Sequence, residues 1–314
     1  MTDVQVQKSF ASQDNGSSGR KAGILYLVGT PIGNLDDMTY RAVAVLKEVS
    51  WVAAEDTRQT RKLLNRFEIS ARLLSYHEHN KEKSGSSIIS KLQDGESVAL
   101  VSDAGLPAIS DPGVDLVEEA VRMNIPVVPI PGPNAALSAL IASGLPTERF
   151  TFLGFLPREK KKASAVLEEW KTHQATIVLY EAPHRLLPTM RLLLDSWGDR
   201  RVVMARELTK RFEEFTRGTV ASCLLHLEGT PPIGEYCLIV EGAQASASDE
   251  AAPEWWTGLT PEQHVARYEK EHGLSRKDAI KQAASDRNVP KRIIYNEVNK
   301  KTSFEANSTK QDRD

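Results

Sequence analysis

Cysteine is nearly absent from this chain, with Cys223 and Cys237 the only two among 314 residues. Both sit in ordinary apolar runs, no CxxC occurs, and of the seven histidines only His77 and His79 stand close together. A disulfide framework and a structural zinc site are therefore not expected, no metal is assigned, and the histidine pair reads as surface. A long apolar run is missing too. The most apolar region, residues 127–145, is broken by Pro129, Pro131, Gly132, Pro133 and Gly144, far from the ~20 uninterrupted apolar residues that span a bilayer. The first twenty residues lack the apolar core of a signal peptide and read as a flexible tail over 1–22, so the expected location is cytoplasmic, without a membrane. Charge of one sign is not in excess: 40 Lys and Arg face 42 Asp and Glu, a net charge of -2. That balance argues against coating nucleic acid by charge alone and leaves room for local basic patches. Four catalytic signatures are also missing, namely GxxxxGK[ST], a GxGxxG that opens a helix after a strand, HExxH and GxSxG. P-loop ATP hydrolysis, a standard dinucleotide fold, zincin chemistry and the hydrolase elbow lose their support.

What is present is a repeated grammar of short β-type runs that stop in Gly/Pro loops. Residues 24–28 run into Gly29-Thr30-Pro31-Ile32-Gly33-Asn34, Val98 to Val101 into Ser102-Asp103-Ala104-Gly105-Leu106-Pro107, Val127 to Ile130 into Pro131-Gly132-Pro133-Asn134, and Thr176 to Tyr180 into Glu181-Ala182-Pro183. Helix-period stretches lie between them, which predicts an α/β fold in two halves with mainly parallel sheets. The halves are set at 23–145 and 146–242, with a small-residue linker over 243–254. Residues 255–301 form a mildly basic all-helical module that opens at Thr260-Pro261-Glu262 and is followed by a polar tail over 302–314. Its last two helices suit a helix-turn-helix or a small bundle with a solvated charged face, and spacing does not separate the two.

In open α/β sheets, ligands bind beyond the carboxyl ends of the strands, where these loops fall. Small side chains there let a ligand be read by main-chain N–H and C=O groups. Asp103, among such residues at a strand end, is either a turn former or a ligand contact. Asp111, followed by Pro112 and an apolar-periodic run, reads as a helix cap. Residues 54–62 set Glu55 and Asp56 ahead of Arg58, Arg61 and Lys62, either as helix-dipole partners before a solvated face or as a cation patch beside the crevice. Arg58, Arg185, Arg206 and Lys210 converge on the same sheet edge, which suits phosphate better than a small neutral substrate.

Taken as a set, these loops resemble the tetrapyrrole methylase-like class of S-adenosylmethionine-dependent methyltransferases, and most closely its branch acting on small-subunit ribosomal RNA. The words that carry the resemblance are LYLVGTPIGNLDDMTYRA from Leu25, AEDTRQTRKLL from Ala54, SDAGLPAISDPG from Ser102, PIPGPNAALSAL from Pro129, FLGFLPR from Phe152, YEAPHR from Tyr180, ARELTKRFEE from Ala205 and GEYCLIVEG from Gly234. The resemblance implies two α/β domains with S-adenosyl-L-methionine in the cleft between them, a homodimer, and an extra C-terminal helical module. It implies cofactor contacts at Pro31, at Ser102, Asp103, Ala104, Gly105 and Ile109, at Asn134 and Ala135, at Tyr180 and Glu181, and at Gly234. The chemistry it implies is methylation of a cytidine ribose 2′-hydroxyl in the decoding region, on small-subunit ribosomal RNA or the 30S particle. Glu207, Asp56 and Lys210 are the candidate catalytic groups, and Arg58, Arg61, Arg185 and Arg206 the candidate RNA contacts. Tetrapyrrole enzymes of the class carry Gly-Asp-Pro where this chain has Ser102-Asp103-Ala104, which favours RNA over porphyrin or corrinoid substrates. Those small-molecule methylases, and a non-catalytic RNA-binding assembly factor, are the alternatives.

Overall fold

The computed structural model describes residue 7, residues 22–244 and residues 255–299. The expected tails and nearly all of the expected linker lie outside the described residues. The chain divides into two compact units between Ala243 and Gln244.

The first unit holds two five-stranded sheets, one in each half. In the first half the elements are β1 (Leu25–Val28), α1 (Tyr40–Glu48), β2 (Trp51–Ala54), α2 (Thr57–Arg66), β3 (Arg72–Ser75), α3 (Lys81–Gln93), β4 (Val98–Val101), α4 (Val114–Arg122), β5 (Val127–Ile130) and α5 (Ala135–Ser143). All neighbouring strands are parallel, in the order β3-β2-β4-β1-β5. The central strand β4 is buried along its whole length, as a strand covered by helices on both faces must be. Two apolar clusters flank the sheet, one under α1 and α2 and one under α3 and α4.

The second half contains β6 (Phe150–Phe155), α6 (Lys160–Trp170), β7 (Thr176–Glu181), α7 (Pro183–Trp197), β8 (Arg201–Arg206), β9 (Glu214–Thr219), α8 (Val220–Gly229) and β10 (Tyr236–Val240). Its order is β6-β7-β10-β8-β9, and here the expectation of a mainly parallel sheet is corrected. Only β6 and β7 are parallel, while β10 runs against both of its neighbours and β9 against β8. The physical reason is connection length, because the short segment between β8 and β9 can join only antiparallel strands. The polar, half-exposed edge strand β9 carries little of the apolar signal that marks a strand.

Helix α5 joins the halves. Asn134 caps it, accepting from the Leu137 N–H at 2.9 Å, and Gly144 ends it at φ 78°. Ala136, Ala139 and Leu140 pack with Val178, Val203, Ala205 and Ile239, so a helix that follows the first sheet in the chain covers the second.

The second unit is a three-helix bundle, α9 (Pro261–His272), α10 (Arg276–Asp286) and α11 (Lys291–Asn299), around Val265, Ile280, Ala283 and Ile294. Thr260 and Gln263 form a capping box at its start, where the sequence places a capped helix.

Candidate active site

A cavity of about 510 Å³ opens where the loops of both sheets meet. From the first half it takes Ile32 after β1, Asp103 to Leu106 and Ile109 to Asp111 after β4, and Asn134 and Ala135 at the start of α5. From the second half it takes Phe155, the turn from Tyr180 to His184 and, across the floor, Ala205, Leu208 and Lys210. Because β10 is antiparallel to β7 and β8, its entry rather than its exit reaches the site, through Glu235 to Cys237.

Main-chain pairing laces these loops together. Thr30 and Gly105 exchange two hydrogen bonds of 2.9 and 3.0 Å, and the buried Thr30 Oγ1 donates to the Ser102 carbonyl at 3.2 Å. A side chain at Gly29 would put its Cβ 2.9 Å from Gly132 Cα, so the loops after β1 and β5 touch backbone to backbone only because both residues are glycine. The first loop is tied to the second half where the Asn34 N–H donates to Thr209 Oγ1 at 3.0 Å. Four non-glycine residues hold left-handed backbone around the cavity: Ala108 and Ser110 at φ 64° and 59°, Glu207 and Thr209 at 49° and 65°. Backbone strain of this kind concentrates at binding and catalytic sites.

The electrostatics are lopsided. Asp111 is pushed up to about 6, first by burial and then by Glu55 and Asp103, against a hydrogen bond from Ser102 that favours its charge. Glu55 is raised for the same two reasons, burial and the Asp103 charge, with His77 opposing. The first-half wall thus offers Asp103 and Asp111, which pair with no Lys or Arg among the described residues, and that is where a cation would be stabilised. Tyr180 and Cys237 are both pushed up to about 12, chiefly by burial, so neither is a nucleophile at neutral pH. Tyr180 instead positions α5, its hydroxyl accepting from the Ala136 N–H at 3.2 Å while its ring meets Phe152 edge-on at 4.9 Å. Opposite the carboxylates, Lys210 Nζ lies 3.0 Å from Glu207 Oε1 and 2.7 Å from Glu235 Oε2. Burial works against the Lys210 charge, but hydrogen bonds to Glu235 and Glu207 outweigh it and raise its pKa. Glu207 is lowered, first by the Glu235 N–H and then by Lys210.

Of the residues that the family resemblance assigns to the cofactor, Asp103, Ala104, Gly105, Ile109, Asn134, Ala135, Tyr180 and Glu181 line this cavity. Pro31 and Ser102 line a neighbouring one that shares Asp103. Gly234 lies beside the cavity at φ 79°, where its missing side chain leaves room for Glu207: an added Cβ would stand 2.6 Å from Glu207 Cγ. Among the candidate catalytic groups, Lys210 lines the cavity and Glu207 stands behind it. Asp56 is elsewhere, as the N-cap of α2. Its bonds to Arg58 hold its carboxyl at about 2, while its own N–H donates to Asp103 Oδ1 at 3.1 Å. The four candidate RNA contacts separate in the same way. Arg58 and Arg61 are exposed on α2. Arg185 is turned inward, donating to the Leu156 carbonyl at 2.7 Å and pairing with Glu181 at 3.4 Å. Arg206 pairs with Glu214 at 2.8 Å.

The reading of Asp111 as a helix cap is corrected. The N-cap of α4 is Gly113, at φ 143° and with no side-chain bond, and Asp111 instead faces the cavity. The signal that separates the two roles is Gly113 itself, whose Cβ would meet Leu100 Cδ2 at 2.9 Å, so the chain needs glycine one residue after Pro112 and the cap moves there. Among the described residues no cluster of His, Cys, Asp and Glu suits a metal, and no helix is long and apolar enough to cross a membrane.

Residues 24–223 match the family model described as Tetrapyrrole (Corrin/Porphyrin) Methylases. The chain is 53% identical over 293 residues to a Halalkalibacterium halodurans protein named Ribosomal RNA small subunit methyltransferase I, covering 93% of this chain and 98% of that one. A Bacillus subtilis protein of the same name is 52% identical over 292 residues, with 93% and 97% covered, and one from Synechocystis is 45% identical over 278, with 87% and 96% covered. In fold the chain is similar to a solved cobalamin biosynthetic enzyme, cobalt precorrin-4 methyltransferase, at a TM-score of 0.54 and 18% identity over 69% of this chain and 94% of the other. Because the family match begins at β1 and runs into α8, and the relatives align over nearly their whole length, the chain belongs to the tetrapyrrole (corrin/porphyrin) methylase family.

Proposed function

We propose that this chain uses S-adenosyl-L-methionine to methylate small-subunit ribosomal RNA, at the 2′-hydroxyl of a cytidine in the decoding region. The observation that carries the reading is the meeting of eight donor-assigned residues in one cavity of about 510 Å³, within the roughly 300–1,000 Å³ of small-molecule sites. Small-subunit ribosomal RNA as the acceptor is supported by relatives that bear an RNA-methylating name and match the chain at 53% and 52% identity, and the cytidine 2′-hydroxyl rests on the family resemblance of the loops.

The residues fit such a donor. Ile32, Leu106, Ile109 and Leu208 give apolar walls for an adenosine, the loop tips give main-chain donors and acceptors, and Asp103 and Asp111 face the place where positive charge would sit. When bound, S-adenosylmethionine supplies an electrophilic methyl group on a sulfonium. The chain's own work is then positioning, which for well-oriented reactants is worth effective molarities up to ~10⁵ M or more. Lys210, held charged by Glu235 and Glu207, stays protonated near neutral pH and therefore does not remove the acceptor's proton; its two ion pairs fix the position of Glu207. The hydroxyl proton leaves late in an in-line displacement, so an ionised carboxylate suffices even where hydrogen bonds have lowered its pKa. Glu207 is the candidate tied to the cavity, through Lys210, and Asp56 is bound to Arg58 instead. The helical module adds affinity for RNA, a second copy of the chain completes a homodimer, and the enzyme works in the cytoplasm.

The test is tritiated-methyl transfer to naked ribosomal RNA, to whole small subunits and to a porphyrin, with 2′-O-methyl marks mapped in cells with and without the gene. A mark that disappears from a small-subunit cytidine is the expected result. Transfer to the porphyrin alone overturns the proposal.

A further inference from the structure

Beside the main cavity lies a second one, of about 410 Å³. It is lined by Thr30, Pro31 and Gly33 of the first loop, by Ser102 and Asp103, and by Gln59, Lys62, Leu63 and Arg66 of α2, with Leu35 alongside. Asp103 lines both cavities. The partition between them is the Thr30–Gly105 pairing, reinforced by the buried Thr30 and Ser102 hydroxyls.

Helix α2 is unusual in its charge. It carries Arg58, Arg61, Lys62 and Arg66 within ten residues and no acid. Arg58 is neutralised by Asp56 at 2.9 Å. Among the described residues, Lys62 Nζ reaches only the Gln59 side-chain oxygen, at 3.3 Å, and Arg61 and Arg66 meet no acid. Lys62 and Arg66 stand one turn apart, a like-charged pair that an isolated helix would avoid. These cations are exposed, as on a solvated cationic face, but such a face needs no cavity beside it. Here two of them rim a cavity whose walls include Pro31, Leu35 and Leu63, with Asp103 on the side shared with the larger cavity. A further hollow lined by Arg58, Arg61, Lys62 and Asn65 continues along the same helix.

The chemistry of these walls is that of a nucleotide. Flat apolar surface from proline and leucine suits a base, and the Gln59 amide offers both a donor and an acceptor to a base edge. Unpaired Lys and Arg suit phosphate, with the second hollow placed for the next phosphate along the strand. Sequence-specific RNA recognition takes unpaired nucleotides, whose bases are free to enter such a cavity. We propose that the second cavity receives one unpaired nucleotide of an RNA strand, its phosphates on Lys62 and Arg66 and its ribose turned to the wall shared with the larger cavity. The inference rests on the function proposed above, and it names a subsite for a nucleotide flanking the acceptor and the direction from which RNA enters.

The experiment pairs two charge reversals on exposed helix faces, Lys62→Glu with Arg66→Glu on α2, and Lys160→Glu with Lys161→Glu on α6 as the control of equal charge change. Three quantities are read on the full chain: S-adenosylmethionine affinity by calorimetry, affinity for a labelled single-stranded RNA of small-subunit sequence by anisotropy, and the KM for RNA in methyl transfer. The α2 pair is expected to weaken RNA binding 10- to 100-fold and to flatten its salt dependence by about one to two in log–log slope, with donor affinity within twofold. The control is expected to shift RNA affinity less than threefold. Gln59→Leu is expected to raise KM without changing the salt slope. RNA binding by the α2 pair equal to that of the control overturns the subsite, and so does a wild-type chain that binds no RNA. If the wild type binds RNA yet transfers no methyl group to it, the proposed function falls while the anisotropy series still decides the cavity.

Discussion

Replacing Asp111 by asparagine should stabilise the protein at alkaline pH and weaken its hold on the methyl donor at the same time. Asp111 lies on the cavity wall, raised from 3.8 to about 6 by burial, then by Glu55 and Asp103. Because its folded pKa is above the unfolded value, the folded state holds the proton more tightly. Stability is therefore greatest below pH ~4, falls as pH rises to ~6, and stays reduced above that. A shift of about two units is worth roughly 3 kcal/mol in a dry site, and water reaching this open cavity reduces that to about 1–2 kcal/mol. The amide of the variant resembles the protonated acid, so its gain is near zero at pH ~4 and about 1–2 kcal/mol at pH ~8. For a unit of this size that is a rise in Tm of roughly 3–6 °C. Donor binding moves the other way: calorimetry at pH ~8 should show affinity lower by roughly 5- to 30-fold, with the difference shrinking toward pH ~5 as the wild-type carboxyl takes up its proton. A variant that melts at or below the wild-type temperature at alkaline pH refutes the account of Asp111 as a carboxylate held in an unfavourable place for the sake of a cation.

Gly234→Ala meets both a left-handed backbone and a Cβ 2.6 Å from Glu207 Cγ, and should cost about 1–3 kcal/mol in thermal denaturation and displace Lys210; an unchanged Tm and unchanged RNA KM would show that Glu207 can move aside freely. On α5, Leu137 and Ile141 are 46% and 77% exposed and one turn apart, an apolar face for the second copy of the proposed homodimer. Ile141→Glu should leave monomer stability within ~0.5 kcal/mol yet halve the mass seen by light scattering, and a mass that stays at that of two chains places the dimer contact elsewhere. In the helical module, His264 is fully buried among Trp255, Trp256 and Tyr268, and burial followed by the Arg287 charge lowers its pKa against the pull of Asp286. A base with a lowered folded pKa loses stability as pH falls through its unfolded value near ~6.5, so amide protection factors in α9 and α10, referred to the intrinsic exchange rate at each pH, should fall between pH ~7 and ~5 while those in the larger unit's α5 do not follow that course.

The loops after β1, β4, β5 and β7 were legible in the sequence because close backbone approach demands Gly and Pro, and those residues leave a trace in composition. Strands β2 and β3 end in no such loop and left no comparable mark. Gly154 sits at a register shift in β6, at φ 65°, so the residue that breaks the apolar run there is a bulge within a strand and not its end. Asp111 was hidden by local grammar, since Asp-Pro before an apolar run is also how a helix begins. Only the lack of room for a Cβ at Gly113 beside Leu100 of β4 moves the cap and frees the carboxylate. Arg206 ends β8 and Arg185 follows β7 in the first turn of α7, as the sequence indicates, but the direction of their side chains is decided by Glu181, the Leu156 carbonyl and Glu214, none of which is signalled by spacing. The cation-rich face of α2 was visible as a run of Arg and Lys, while the cavity it borders depends on the distant loop that carries Thr30 and Pro31.

That α5 follows the first sheet in the chain but is buried against the second has a practical corollary for dissecting the molecule. Cutting after residue 145 strips Ala136, Ala139 and Leu140 of their cover in one fragment and uncovers Val178, Val203 and Ile239 in the other. Neither piece should be soluble by itself, yet co-expressed fragments should find each other through that helix. The reassembled pair would carry the nick at Leu145 beside α5's carboxyl end, leaving Asn134 and Ala135 at its opposite end still facing the donor.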